Sequence, residues 1–186
     1  MSCARPKPRV IVSRCLGFAA CRYDGAMLSE PFLAALAPFV EFVPVCPEEA
    51  IGLGTPRDPI RIVENTRGAR LLQPSTARDL TDAMQTFADG FLAGLASARG
   101  FVLKSRSPSC GLTDTQRFPT TEATTPIGQG PGMFGALVLA RFPELAVIDE
   151  LGLQDAAQRR HFLEQIFAAP HLEAVLDTGA LEALLG

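Results

Sequence analysis

The sequence predicts an α/β fold: a parallel sheet of about four strands flanked by helices, with a small hairpin and a helical C-terminal tail. Two observations predict it. Short, continuous apolar runs at 9–13, 40–45, 101–104 and 145–148 alternate with stretches of helical period. The order is strand, helix, strand, hairpin, helix, strand, helix, strand, which suits a parallel sheet with helical crossovers. Continuous rather than alternating apolarity is what strands covered on both faces require.

Residues 1–8 read as a disordered leader, 9–150 as one α/β domain and 151–186 as a helical extension. After the first strand comes a loop, 15–25, closed by the turn pair Asp24-Gly25. A helix is expected over about 29–38, with Ser29 as N-cap, Pro31 in its first turn and Phe32, Leu33, Leu36 and Phe39 on one face. The second strand delivers Cys46-Pro47-Glu48-Glu49. The Gly- and Pro-rich stretch 51–59 reads as an ordered loop, and the runs 60–63 and 69–72 as the hairpin.

The strongest helix is predicted over 76–99. Thr76 and Asp79 suggest a capping box, Leu80, Met84, Phe87, Phe91 and Leu95 form one stripe, and Gly100 stops it. The third strand opens into Lys104-Ser105-Arg106-Ser107-Pro108-Ser109-Cys110-Gly111, poor composition for a helix or strand but good for a loop presenting polar groups. Residues 112–131 carry few regular signals. A helix follows over 132–141, then the fourth strand. The tail reads as helical, with Asp155 as N-cap, Pro170 separating a second helix and Gly179 interrupting that one.

Composition narrows the function. The apolar fraction of 47% and charged fraction of 20% are globular values. A net charge of -3 offers no bulk attraction to nucleic acid. No run is long enough for a signal peptide or a membrane span, so a cytoplasmic protein is expected. Five widely spaced cysteines in such a chain exclude paired CxxC ribbons and argue against a disulfide framework. Both histidines, His161 and His171, lie in the tail, so chemistry in the main body does without imidazole. No GxGxxG follows the first strand, which argues against a nucleotide-binding module.

Cys15, Cys46 and Cys110 each lie just past a strand end. Ligands of open α/β sheets bind outside the carboxyl ends of the strands, so the topology predicts that the three converge. Three thiolates suit an iron–sulfur cluster with one open iron, or zinc. Against this stands the ordinary cysteine, a small buried hydrophobe. Cys21 is read as a non-ligand and Cys3 as a bystander. Glu48 is either the acidic first turn of a helix starting near 48 or a general acid/base. Lys104, Arg106 and Arg57 are solvated cations or hold a polar ligand. His161 reads as a helix-surface residue.

Five stretches carry a resemblance: Ser13-Arg14-Cys15-Leu16-Gly17, Cys21-Arg22-Tyr23-Asp24-Gly25, Val43-Pro44-Val45-Cys46-Pro47-Glu48, Thr55-Pro56-Arg57 and Lys104 through Gly111. Together, in this order, they resemble the thiouracil desulfidase family over about residues 9–150. The resemblance implies a [4Fe-4S] cluster held by Cys15, Cys46 and Cys110, with one iron lacking a protein ligand. It implies that water replaces sulfur in 2- or 4-thiouracil, giving uracil and hydrogen sulfide without net redox. Glu48 and Ser107 map onto the family's proposed catalytic side chains. Lys104, Ser105, Arg106, Ser109, Tyr23 and Arg57 are the expected substrate-binding residues. The expected partner is a small thiocarbonyl compound, a thiolated nucleoside or a thiolated tRNA, and the chain is expected to be a monomer or homodimer. The stretch Leu112–Phe118 departs from the family's shorter Gly- and Tyr-containing segment. The rival class is a non-enzymatic iron–sulfur or metal-binding module, a sulfur carrier or redox sensor, which needs the cysteines but not Glu48.

Overall fold

The computed structural model describes residues 6–95 and 97–167, together with Leu172 and Val175. Its elements in chain order are β1 (Arg9–Ser13), α1 (Pro31–Leu36), β2 (Glu41–Val45), α2 (Pro47–Ala50), β3 (Arg61–Asn65), β4 (Gly68–Gln73), β5 (Arg78–Asp79), α3 (Thr81–Ala93), β6 (Ala98–Leu103), β7 (Thr115–Phe118), β8 (Gly128–Gly130), α4 (Met133–Arg141), β9 (Ala146–Asp149) and α5 (Ala156–Ile166). The expected parallel sheet is there, in the order β2-β1-β6-β9. Its strands are covered on both faces. Val10 and Val12 face α1 and α5, in a core with Phe32, Leu36, Phe162 and Ile166. Ile11, Phe101 and Leu103 face α3 and α4, in a core with Met84, Leu92, Phe134 and Val138. Removing a side chain of this size from water is worth about 1.5–3 kcal/mol, so the apolar runs alone account for the central layer.

The hairpin grows into a second sheet, ordered β5-β4-β3-β7-β8. Two of its strands lie in 112–131, a stretch without regular sequence signals. β7 is Thr-Gln-Arg-Phe and β8 Gly-Gln-Gly, so neither shows a strand pattern; pairing to β3 and to each other makes them strands.

Three boundaries differ from expectation. Glu30, not Ser29, occupies the N-cap of α1 and makes no side-chain cap; Pro31 at the first helical position sets the start instead. The long helix is shorter at both ends. Thr76 ends a 3-10 turn at 74–76, and Asp79 belongs to β5, paired with Leu72. The Asp79 carboxylate accepts from Thr81 N at 3.0 Å, and the Thr81 hydroxyl accepts from Leu71 N at 2.9 Å. These side chains turn the hairpin into the helix rather than box its first turn. At the other end Gly94 is the C-cap. Gly100 lies inside β6, where a Cβ would meet Ala146 O at 2.9 Å; it is a strand residue required by close packing.

The Asp155 cap holds, accepting from Gln158 N at 2.8 Å. α5 is not an appendage: Phe162, Leu163 and Ile166 are buried against the sheet. His161 is exposed on its outer side. The second tail helix expected beyond Pro170, with its break at Gly179, falls outside the described residues, apart from Leu172 and Val175. No described helix is long and apolar enough to cross a membrane.

Candidate functional site

The parallel registers align Ser13 with Val45, Val12 with Val102, and Leu103 with Asp149. Four carboxyl ends therefore share one edge, and their loops meet above it. Cys15 sits in the turn after β1, where Leu16 N donates to Ser13 O at 2.9 Å. Cys46 is the extended N-cap of α2. Cys110 is held farther from its strand by a tightly stapled loop. Gly111 N donates to Ser107 O at 2.9 Å, Met133 N to Pro108 O at 2.9 Å, and Gly135 N to Ser109 O at 2.9 Å. A Cβ on Gly135 would stand 2.2 Å from Gly111 O, so the approach of α4 to this loop requires glycine there.

These loops enclose a cavity of about 490 Å³, lined by Cys15, Cys46 and Cys110 and also by Cys21. All four are free thiols; Cys46 is half-buried and the others buried. Burial, then the neighbouring Cys46, pushes the Cys15 thiol up to about 11. Burial likewise raises Cys110, against a hydrogen bond from Ser13. In both Cys15 and Cys110, burial and the neighbouring sulfurs favour the protonated thiol.

The sulfurs do not close on a single point. Among the described residues, the group whose ligand atoms all lie within 4.8 Å of one another is Cys21, Cys46 and Glu49. Cys15 and Cys110 stand outside it. Ligands of one zinc-like ion, bound at about 2.0–2.3 Å, cannot be farther apart than about 4.6 Å. The Cys15, Cys46 and Cys110 donor set therefore fits a multi-iron cluster in the cavity better than one ion.

Glu48 lines the same cavity and is firmly held. Its Oε2 accepts from Arg57 Nε at 2.7 Å and lies 2.7 Å from Arg57 NH2 in an ion pair, and its Oε1 accepts from Ser109 Oγ at 2.9 Å. The Arg57 side chain is 4% exposed and spends its remaining donors on protein: NH1 on Gly54 O at 2.7 Å and Thr55 Oγ1 at 3.1 Å, NH2 on Cys21 O at 3.0 Å and Cys46 Sγ at 4.0 Å. Burial works against its charge, but Glu48 beside it lifts the guanidinium above its ordinary value. Ser109 is fully buried behind Glu48 and does not line the cavity.

Ser107 does line it. Its Oγ accepts from Ser109 N at 3.2 Å and Cys110 N at 3.0 Å. A hydroxyl has two acceptor sites and one proton. With both acceptor sites used, its remaining capacity is to donate.

Lys104, Ser105, Arg106, Tyr23 and Arg57 complete the wall. Tyr23 is 47% exposed at the mouth, with the Arg22 guanidinium 5.9 Å from its ring centre. Arg106 has φ 57°, a left-handed conformation that costs a non-glycine residue about 1–2 kcal/mol; Asp114 Oδ1 holds its backbone N at 2.7 Å. It borders both this cavity and an adjoining one of about 670 Å³.

The sequence reading brought ten of its eleven site residues to this cavity and overlooked Ser13, which lines it, and Glu49 and Glu150, which hold residues that line it. Glu150 accepts from Lys104 Nζ and Ser105 Oγ, both at 2.5 Å, and from Ser105 N at 2.7 Å. Ser13 Oγ accepts from Lys104 N at 2.9 Å. Glu49 accepts from Arg14 NH1 at 2.9 Å and Thr55 Oγ1 at 3.0 Å. The signal for Glu150 was present: it follows the fourth strand end, as the cysteines follow the other three.

Comparison with known proteins bears on this geometry. A family profile described as 2-thiouracil desulfurase matches residues 10–150. The uncharacterised protein YbbK of Bacillus subtilis (strain 168) is 34% identical over 111 residues, 55% of this chain and 72% of that protein. A solved structure of the [4Fe-4S]-dependent thiouracil desulfidase TudS superimposes with a TM-score of 0.59 at 27% identity, covering 92% of this chain and 99% of that one.

Proposed function

Because the chain belongs to the 2-thiouracil desulfurase family, we propose that it removes sulfur from thiolated pyrimidines of the 2- or 4-thiouracil type at a [4Fe-4S] cluster. The balance is C=S plus water giving C=O plus hydrogen sulfide, with no electron donor or acceptor. The observation that carries the reading is the single cavity in which Cys15, Cys46 and Cys110 surround the space that Glu48 and Ser107 face.

Cys15, Cys46 and Cys110 are the residues that would hold the cluster. When bound, it supplies Lewis acidity toward sulfur at an iron without a protein ligand. Everything else is done by the chain. Glu48, fixed by Arg57 and Ser109, takes a proton from the attacking water and returns one to the leaving sulfur. Ser107 donates its one remaining hydrogen bond to the reacting thiocarbonyl or a ring heteroatom. Tyr23 offers a ring face to the base at the mouth. Lys104, Ser105 and Arg106 shape the opposite wall. The adjoining cavity leaves room for the sugar of a thiolated nucleoside, and a thiolated tRNA would present its base at the same mouth. The reaction belongs in the cytoplasm, where thiols stay reduced.

The test is anaerobic reconstitution with iron and sulfide, followed by assay of sulfide release from thiouracils, thiouridines and thiolated tRNA. The reading requires about four irons per chain and release from at least one of these. Failure to hold iron refutes it. Iron without any sulfide release assigns the chain to the non-enzymatic class.

A further inference from the structure

Among the described residues, Cys21 is the thiol the proposed reaction does not use. It is 2% exposed, yet it reaches the cavity beside Cys46. Cys46 Sγ lies 3.8 Å from Cys21 O, with the S–H directed at that carbonyl. Glu49 comes from the turn of α2 that Cys46 caps, three residues on, so it lies on the same side. Ligand atoms of Cys21, Cys46 and Glu49 all lie within 4.8 Å of one another. Small shifts bring this set onto one ion at the usual zinc distances of about 2.0–2.3 Å.

We infer that Cys21, Cys46 and Glu49 form a second metal site, which takes one soft divalent cation of the zinc class when the cluster is absent. Two thiolates and a carboxylate are a borderline-soft, three-ligand set. The fourth position faces the cavity, which Cys21 and Cys46 both line, and is filled by water. The surroundings suit the task. Arg14 and Thr55 each bond one oxygen of Glu49, which fixes the carboxylate and leaves lone pairs on both oxygens. Arg57 NH2 stands 4.0 Å from Cys46 Sγ, placed to donate to the thiolate that forms when the metal displaces its proton.

Cys46 would serve both this ion and the cluster, so the two exclude each other. The site is a choice between guests, made at one shared residue. The inference rests on the proposed function only through that sharing.

Cobalt(II) is the probe, added without oxygen to the metal-free full chain, because its visible bands report tetrahedral geometry and its ultraviolet band reports thiolate bonding. The wild type is expected to bind about one cobalt with two thiolates. Cys21→Ser is expected to weaken cobalt by about 100-fold or more, yet accept the same iron on reconstitution. Cys110→Ser is expected to bind cobalt as the wild type does and to lose the cluster. Zinc loaded first is expected to block reconstitution in the wild type and not in Cys21→Ser. If Cys21→Ser is poorly folded, Glu49→Gln, a change at a partly exposed residue, is expected to weaken cobalt by at least about 10-fold with both thiols intact. Cobalt binding that survives Cys21→Ser, or that is lost in Cys110→Ser, overturns the inference. So does loss of iron in well-folded Cys21→Ser, which makes Cys21 part of the cluster site. Cobalt bound as expected in a chain that never holds iron leaves this site standing and removes the proposed function.

Discussion

Glu48 and Glu150 have the same company and different work. Each lies just past a strand end of the parallel sheet. Each is paired with a cation and a serine hydroxyl: Arg57 and Ser109 for Glu48, Lys104 and Ser105 for Glu150. Each side chain is 12% exposed. Burial therefore does not distinguish them; direction does. Glu150 accepts its hydrogen bonds from two consecutive residues of one loop and does not line the cavity, so it fastens the loop after β6 to the end of β9. Glu48 is held from behind by Arg57 and Ser109 and lines the cavity. A carboxylate, a cation and a hydroxyl form a clamp in one place and, in the proposed reaction, a held base in the other, and the cavity tells them apart.

The comparison breaks most visibly at Glu48. Glu48→Gln is expected to lower sulfide release by about 10²–10⁴-fold while iron content stays at the wild-type value; loss of iron would recast it as structural. Glu150→Gln should do the reverse. Leaving the half-buried Lys104 without its carboxylate is expected to cost about 1.5–3 kcal/mol, read from urea unfolding of the metal-free protein, while sulfide release per bound cluster changes far less.

Ser109→Ala sharpens the picture within the first group. It removes the hydroxyl that donates to Glu48 Oε1, and a lost hydrogen bond to a charged group is worth about 1.5–3 kcal/mol. Turnover is expected to fall by about 10-fold or more with substrate affinity little changed, since the Ser109 hydroxyl bonds Glu48 and does not line the cavity. The smallest effect is on pH dependence. Burial raises the Glu150 carboxyl, but Lys104 and Ser105 outweigh it and hold the group below its ordinary value. Its stabilising contribution is therefore complete above the unfolded carboxylate range and lost as pH falls through the lowered folded value. Acid unfolding of the wild type should show this dependence, and Glu150→Gln should flatten it.

Much of this was legible in the sequence, for reasons that can be named. Continuous apolar runs mark β1 and β6 because both faces are covered, and covered parallel strands deliver their loops to one edge. That brought Cys15, Cys46 and Cys110 together before any coordinate. The second sheet was not legible beyond its hairpin, because Thr115–Phe118 and Gly128–Gly130 become strands through partners distant in sequence. Thr76 and Asp79 matched a helix cap locally and were claimed by the β4–β5 pairing. Ser109 read, like Ser105, as a substrate-binding serine; only packing shows that it does not line the cavity and backs Glu48. Glu150 fell under the same strand-end argument as the cysteines and was overlooked because that argument was applied to thiols alone.

The most direct measurement compares iron content and sulfide release from a thiouracil in anaerobically reconstituted wild type, Glu48→Gln and Glu150→Gln. The account predicts about four irons per folded chain in all three, with sulfide release lost only in Glu48→Gln. Equal release from Glu48→Gln and the wild type would contradict it.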